Sequence, residues 1–333
     1  MKRKGLLLLS VAIFSSFAFG GGKSEGSASS AKKTYNINVA SVYAAEGNIH
    51  EGMVKFKQLV ENKTQGRMKV TIHVAGAMGG EREVVEGISN GTIEMGAHGG
   101  MDIMLYTPEY SVFEEMFVIR DLDHLEKFWN TIGKEISEDI AKRKGILTVG
   151  TVPRGSRYVT ANKPLKTPND LKGLKFRLPD YPIRIKYFES LGALPTIIAF
   201  PELYLALKTG VVDGQENPPE TIYNYKYYEA QKYLIATRHL YSSNRYAVSK
   251  KWLDRLDPED QKMILDSWEE ATKYARELVK DPDAFYIDKL VNEKGMVLIE
   301  PDREAFVKAI EPILQQYDKQ WAPGLRERIR NIK

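Results

Sequence analysis

The chain has 333 residues, 43% of them hydrophobic, a formal net charge of +4 and no cysteine. Such a chain can bury a sizeable core and suggests two domains. The missing cysteines exclude disulfides, thiol nucleophiles, Cys-based zinc sites and a lipid anchor on an N-terminal cysteine.

Lys2, Arg3 and Lys4 precede an apolar run from Leu6 to Phe19 and a small-residue end at Gly20. This is the pattern of a secretory signal peptide over residues 1–20. The run is shorter than the ~20 residues of a membrane-spanning helix. Its removal takes three positive charges and lowers the formal charge from +4 to +1, so the basic balance does not argue for nucleic acid or membrane binding. Residues 21–33 read as a flexible Gly/Ser/Ala/Lys-rich leader. An exported, unanchored protein that stays near its cell points to the periplasm, and no second long apolar run follows.

The first strand reads YNINVASVY (35–43), and a helix from near Asn48 carries Met53, Phe56, Leu59 and Val60 on one face. MKVTIHVAG (68–76) is a strand, Glu81 to Ser89 a helix stopped by Gly91, and TIEMGAH (92–98) a third strand. Helical pattern from Asp123 to Arg143 leads into the strand ILTVGTV (146–152). Strands alternating with helices indicate an α/β fold with parallel pairing.

Thr167 and Pro168 form an N-cap and first helical position. Leu171 to Pro218 reads as three strand-like runs and one short helix, the helix opened by Pro201 and ended by Gly210. In LKFRLP, Leu174, Phe176 and Leu178 face one side and Lys175 and Arg177 the other. VVDGQ is the next strand. Asp257 can cap a long helix from Pro258 to about Lys280, with Ile264, Trp268, Ala271 and Tyr274 as apolar positions. Helix, Gly91 and TIEMGAHGG align with helix, Gly210 and VVDGQENPP, which sets His98 opposite Asn217. That order also recurs generally in α/β proteins.

No G-x-S-x-G, Walker-type loop, G-x-G-x-x-G or H-E-x-x-H occurs. The five histidines show no metal-site spacing. The polar residues at strand ends are the candidates, because ligands of open α/β sheets bind beyond the carboxyl ends of strands. Arg177 presents a planar fork that matches a carboxylate with two charge-assisted hydrogen bonds; its alternative is an exposed strand arginine. Arg157 is a second carboxylate contact or a hinge residue. Asn217 can donate and accept to a carboxylate or hydroxyl, or it forms an Asx turn before Pro218. Phe200 covers a ligand or packs in the core. His98 contacts a ligand or caps its strand. Glu81 opens a helix, where its charge is favourable in any case.

DLKGLKFRLP followed by GA-PT-AF-ELY-AL-TGVVDGQENP resembles the signature of the solute receptors of tripartite ATP-independent periplasmic (TRAP) transporters, of the dicarboxylate-receptor type. NIH…KTQGRMKV, GTIEMGAHG, EAQKYL…TRH and the Leu256–Gln261 segment resemble further parts of that family, so the likeness runs from about residue 34 to 320. The resemblance implies a two-lobed α/β fold of the periplasmic binding protein type, with crossing strands, a long connecting helix and a ligand cleft between the lobes. It divides the chain into residues 34–154 plus 243–282 and residues 155–242 plus 283–333. It makes Arg177 the main carboxylate ligand, Asn217 its support, Arg157 a second basic contact and Phe200 a residue packed on the ligand. His98 and Glu81 fall where ligand-specific contacts vary.

The expected function is a periplasmic receptor for a small carboxylate that feeds a sodium-coupled TRAP importer through its small and large membrane subunits. Catalytic residues, cofactor, metal and nucleic acid are not expected, and the protein is expected to be a monomer. A sugar acid, such as a uronate or aldonate, is favoured over a C4-dicarboxylate because His98, Glu81, Tyr158 and Tyr181 suit hydroxyls. A secreted hydrolase or lyase and a sensory receptor on the same fold are the alternatives from other classes.

Overall fold

The computed structural model describes residues 33–333. The expected signal peptide lies outside the described residues, as does the leader through residue 32. The described strands are, in chain order, β1 (Tyr35–Ser41), β2 (Met68–His73), β3 (Met95–His98), β4 (Ile146–Ser156), β5 (Tyr158–Ala161), β6 (Lys175–Leu178), β7 (Leu194–Ile197), β8 (Gly214–Asn217), β9 (Tyr233–Ile235), β10 (Tyr241–Ser249) and β11 (Val297–Ile299). They form two sheets, ordered β2-β1-β3-β10-β4 and β11-β9-β5-β8-β6-β7.

The two sheets follow one plan. In the first, β3 lies between parallel β1 and antiparallel β10. In the second, β8 lies between parallel β6 and antiparallel β5. The helix–Gly–strand repeat thus has a topological counterpart, each copy beside a strand that crosses from one sheet to the other. β4 ends at Ser156 in the first sheet and β5 starts at Tyr158 in the second; β9 and β10 make the reverse crossing. The Arg157 amide donates to the Leu240 carbonyl at 2.8 Å and ties the two crossings together.

The first sheet is covered by the helices Gly47–Lys63 and Pro258–Leu278. Trp268 is fully buried, stacked on Phe56 at 4.0 Å and on Tyr246 at 4.6 Å. Gly52 makes the close approach possible: a Cβ there would lie 2.1 Å from the Tyr246 hydroxyl and 2.9 Å from the Ala275 Cβ. After Leu278 the chain passes to the helix Pro282–Asp288, which packs on Pro219–Asn224. There Asp283 accepts the Ser156 amide at 3.0 and 3.1 Å, against Gly155, which stands at φ +90°. The carboxylate occupies the space a Cβ on Gly155 would need.

Several boundaries differ from those expected. The third strand starts at Met95, because Thr92 and Ile93 close the helix end by donating to the Gly87 carbonyl. The strand expected over 146–152 runs on to Ser156, since it pairs with β10 throughout. The eighth strand is GQEN rather than VVDGQ, because the Val211 and Val212 amides turn back to Ala206. Pro168–Leu171 is a single 3-10 turn with Thr167 and Asp170 forming a capping box. Asp257 stands at the N-cap of the long helix without a side-chain hydrogen bond, and Tyr274 is exposed. The helix Pro182–Ser190 was not expected, so the Leu171–Pro218 region holds two helices rather than one. Ile183, Arg184, Tyr187 and Phe188 are all buried on it, and an arginine among apolar residues hides the amphipathic period.

Helix Arg303–Tyr317 packs on Pro182–Ser190. The last helix, Leu325–Arg330, packs on Pro108–Glu114, and its Arg326 and Arg330 both reach Glu115. Among the described residues no helix is long and apolar enough to cross a membrane.

Candidate ligand-binding site

A cavity opens where the strands of both sheets end, as strand-end chemistry requires. The first sheet contributes Tyr43 after β1 and Gly99 and Gly100 after β3, joined by Glu81. The second contributes Arg177 on β6, Asn217 at the end of β8, and Tyr181 and Arg184 beyond β6. The crossings supply Arg154, Arg157, Ser242 and Ser243. About 60 Å³ is open to the centres of water-sized spheres. One water needs ~10–15 Å³ by that measure, so the space suits a small molecule.

Five arginines are buried: Arg154, Arg157, Arg177, Arg184 and Arg245. Four have a carboxylate within ion-pair distance. Arg154 has Glu220, Arg157 has Glu216, Arg184 has Glu114 and Glu216, and Arg245 has Asp102. Arg177 alone has none among the described residues. It is 2% exposed, and its Nε and Nη2 both donate to the Ile198 carbonyl, at 2.9 and 2.8 Å. The Phe200 ring lies 5.8 Å from its guanidinium. Burial pulls the Arg177 pKa down to about 10, against weaker opposing pulls from Tyr227 and Glu216. A buried cation without a counter-ion is unfavourable until an anion arrives.

Asn217 sits at the end of a side-chain relay. Gln231 accepts from Thr160, Thr160 from Gln215, Gln215 Oε1 from Asn217 Nδ2 at 2.6 Å, and Asn217 Oδ1 from Arg157 at 3.1 Å. The relay fixes which end of the Asn217 amide is which and leaves one Nδ2 hydrogen uncommitted.

Arg157 lines the cavity at the crossing, but its Nε and Nη2 are committed to the Glu216 carboxylate and carbonyl. Although burial pushes the Glu216 carboxyl up, Arg157 and Arg184 hold it well below the usual range. His239 Nε2 adds a contact to it at 3.2 Å. Phe200 lines the cavity in an aromatic corner with Tyr43 at 5.6 Å and Tyr225 at 4.8 Å. Glu81 accepts from the Gly99 amide and, at 3.2 Å, from the Tyr181 hydroxyl, which itself accepts from the Gly100 amide at 2.9 Å. Burial raises the Glu81 pKa.

His98 does not line the cavity. Strand alternation puts it on the face of Gly96, which packs on Val84 and Ile88. There it is fully buried, with Nδ1 donating to the Gly99 carbonyl at 3.1 Å and burial lowering its pKa to about 4. Tyr158 also points away: its hydroxyl accepts from Arg238 at 3.0 Å within the core of the second sheet. Arg177, Asn217, Arg157, Phe200 and Glu81 therefore share one cavity, and His98 stands behind it.

Sequence reasoning missed Arg154, Arg184 and Glu114. Arg154 lies three residues before Arg157 in the same PRGSR stretch, which was a usable signal. Arg184 lies on the unexpected helix and gave none.

Two α/β sheets joined by crossing strands, with a cavity lined by buried arginines between their strand ends, have the architecture of a two-lobed solute-binding protein. The profile of the bacterial extracellular solute-binding proteins, family 7 (DctP), matches residues 39–320, and the chain belongs to this family of TRAP-type receptors. It is 33% identical over 310 residues to a solute-binding protein of Verminephrobacter eiseniae, covering 91% of this chain and 90% of that one. It is 32% identical to the 2,3-diketo-L-gulonate-binding periplasmic protein YiaO of Escherichia coli K12, over 78% of this chain and 80% of that one. The crystal structure of a TRAP periplasmic solute-binding protein from Polaromonas sp. JS666 bound to D-erythronate superposes with a TM-score of 0.83 at 30% identity, covering 90% and 99% of the two chains.

Proposed function

We propose that the cavity binds a small hydroxylated monocarboxylate, a sugar acid, in the periplasm and presents it to the membrane subunits of a TRAP transporter. The supporting observation is the unpaired, buried Arg177. The ligand's carboxylate completes its coordination and takes the remaining amide hydrogen of Asn217. The other three arginines of the cavity are already matched by Glu114, Glu216 and Glu220. One free cation among the described residues of the cavity calls for one carboxylate, which favours a sugar acid over a dicarboxylate.

The rest of the ligand meets Glu81, Tyr181, Ser242 and Ser243. The Ser242 hydroxyl is buried and unpartnered among the described residues. Hydroxyls of a sugar acid both donate and accept, as this mixed set requires. Two relatives support the choice, since their names carry 2,3-diketo-L-gulonate and D-erythronate, both sugar acids. Contacts from both sheets stabilise the closed state over the open one, and that shape reports occupancy to the transporter. The ligand leaves chemically unchanged.

Thermal-shift screening of aldonates, uronates and C4-dicarboxylates tests this. A ligand at 100 times Kd adds ~2.7 kcal/mol of stability. Hits among sugar acids, recovered intact after incubation, are expected. A neutral sugar that binds as tightly as its acid would overturn the reading.

A further inference from the structure

A second, smaller cavity adjoins the first, and Tyr43 and Arg154 line both. The Arg154 guanidinium lies 4.8 Å from the centre of the Tyr43 ring. It also donates to the Thr221 hydroxyl and sits 3.9 Å from Glu220 Oε2. Beyond it stand Glu220, Asn224 and Asn244. Asn244 is 1% exposed, and both of its amide atoms lack a partner among the described residues. Buried amides without partners are costly and uncommon. The space behind Arg154 is thus polar and chemically unsatisfied, with about 10 Å³ open to the centres of water-sized spheres, room for one water or a hydroxymethyl group.

The geometry points to Arg154 as the specificity-determining partition that sets the length of the acid this receptor accepts, with the Glu220–Asn244 chamber behind it as a latent subsite for a longer polyol tail. The inference rests on the sugar-acid reading. Held against the Tyr43 ring by Thr221 and Glu220, Arg154 ends the main cavity with its own guanidinium. A short chain stops against it. With that side chain shortened, the two cavities join, and the Asn244 amide can donate to one hydroxyl and accept from another.

The double variant Arg154→Ala/Glu220→Gln removes the partition without leaving a buried carboxylate unpaired. Calorimetric titration with D-erythronate, D-gluconate and a seven-carbon heptonate reads the effect. The expected result is a shift of at least about tenfold in the heptonate-to-erythronate affinity ratio relative to the wild type, cancelled by adding Asn244→Leu. Arg154→Gln/Glu220→Gln, a milder change that keeps an amide on Tyr43, gives the same direction with smaller amplitude should the first variant fold poorly. An unchanged ratio in a folded variant overturns the partition while wild-type binding of the short aldonates keeps the sugar-acid reading. A wild type that binds none of the three overturns that reading itself.

Discussion

The two walls of the cavity handle charge in opposite ways. The wall from the second sheet carries Arg177 without a counter-ion, beside Arg157 and Arg184, which share Glu216. The wall from the first sheet carries Glu81, held by the Gly99 amide and the Tyr181 hydroxyl, and offers acceptors in place of free cations. On the proposed reading, the first of these walls takes the ligand's negative charge and the other reads its hydroxyls. Such a separation would let a single carboxylate grip serve many acids while the opposite wall discriminates among them.

The largest test removes the shared counter-ion. Glu216→Ala leaves two buried guanidiniums short of a partner and should lower unfolding stability by ~3–5 kcal/mol in urea denaturation. Arg177→Ala should behave in the contrary way. The ligand-free protein should keep its stability or gain slightly, because an unpaired buried cation is gone. Binding of every acid should weaken at least about 30-fold, from the ~2–5 kcal/mol lost when one partner of a buried charge pair is truncated. A parallel loss of ligand-free stability would erase the distinction between Arg177 and its paired neighbours.

Glu81→Ala should weaken hydroxylated acids roughly tenfold, in line with the ~1.5–3 kcal/mol of a hydrogen bond to a charged group. Non-hydroxylated acids of equal length should change little. Equal losses for both would assign the first wall to the carboxylate instead.

The last test concerns the crossing between the two sheets. Burial raises the Asp283 pKa from 3.8 to about 6. Between those values the folded protein holds a proton that the unfolded chain releases, so this group's contribution to stability falls as pH rises through that window. Asp283→Asn should remove that part of the pH dependence in thermal melts between pH 3.5 and 7, about the range set by the two pKa values. A variant with an unchanged pH profile would show that Asp283 is not strained at the crossing.

Much of the fold was legible because it rests on local pattern. Strand alternation, glycine stops and the long helical period placed β1 to β4, β6, β8 and the long helix Pro258–Leu278 within a few residues, whereas β5, β9, β10 and β11 were not placed. The helix Pro182–Ser190 was not legible, since burying Arg184 among apolar residues removes the contrast that periodicity needs. The candidate site was legible where residues end strands. Arg177 and Asn217 fall at such positions, and parity alone set Arg177 opposite the Phe176 core face. The same rule failed at His98, whose strand end turns it behind the cavity, and at Tyr158, whose hydroxyl belongs to Arg238.

By itself the sequence determined the α/β grammar and the family, because each resides in contiguous motifs whose chemistry does not depend on distant partners. Only the tertiary structure decided which arginines are already neutralised. Glu114, Glu216 and Glu220 reach Arg184, Arg157 and Arg154 across 70, 59 and 66 positions of chain, and charge pairing at such separations is a property of packing.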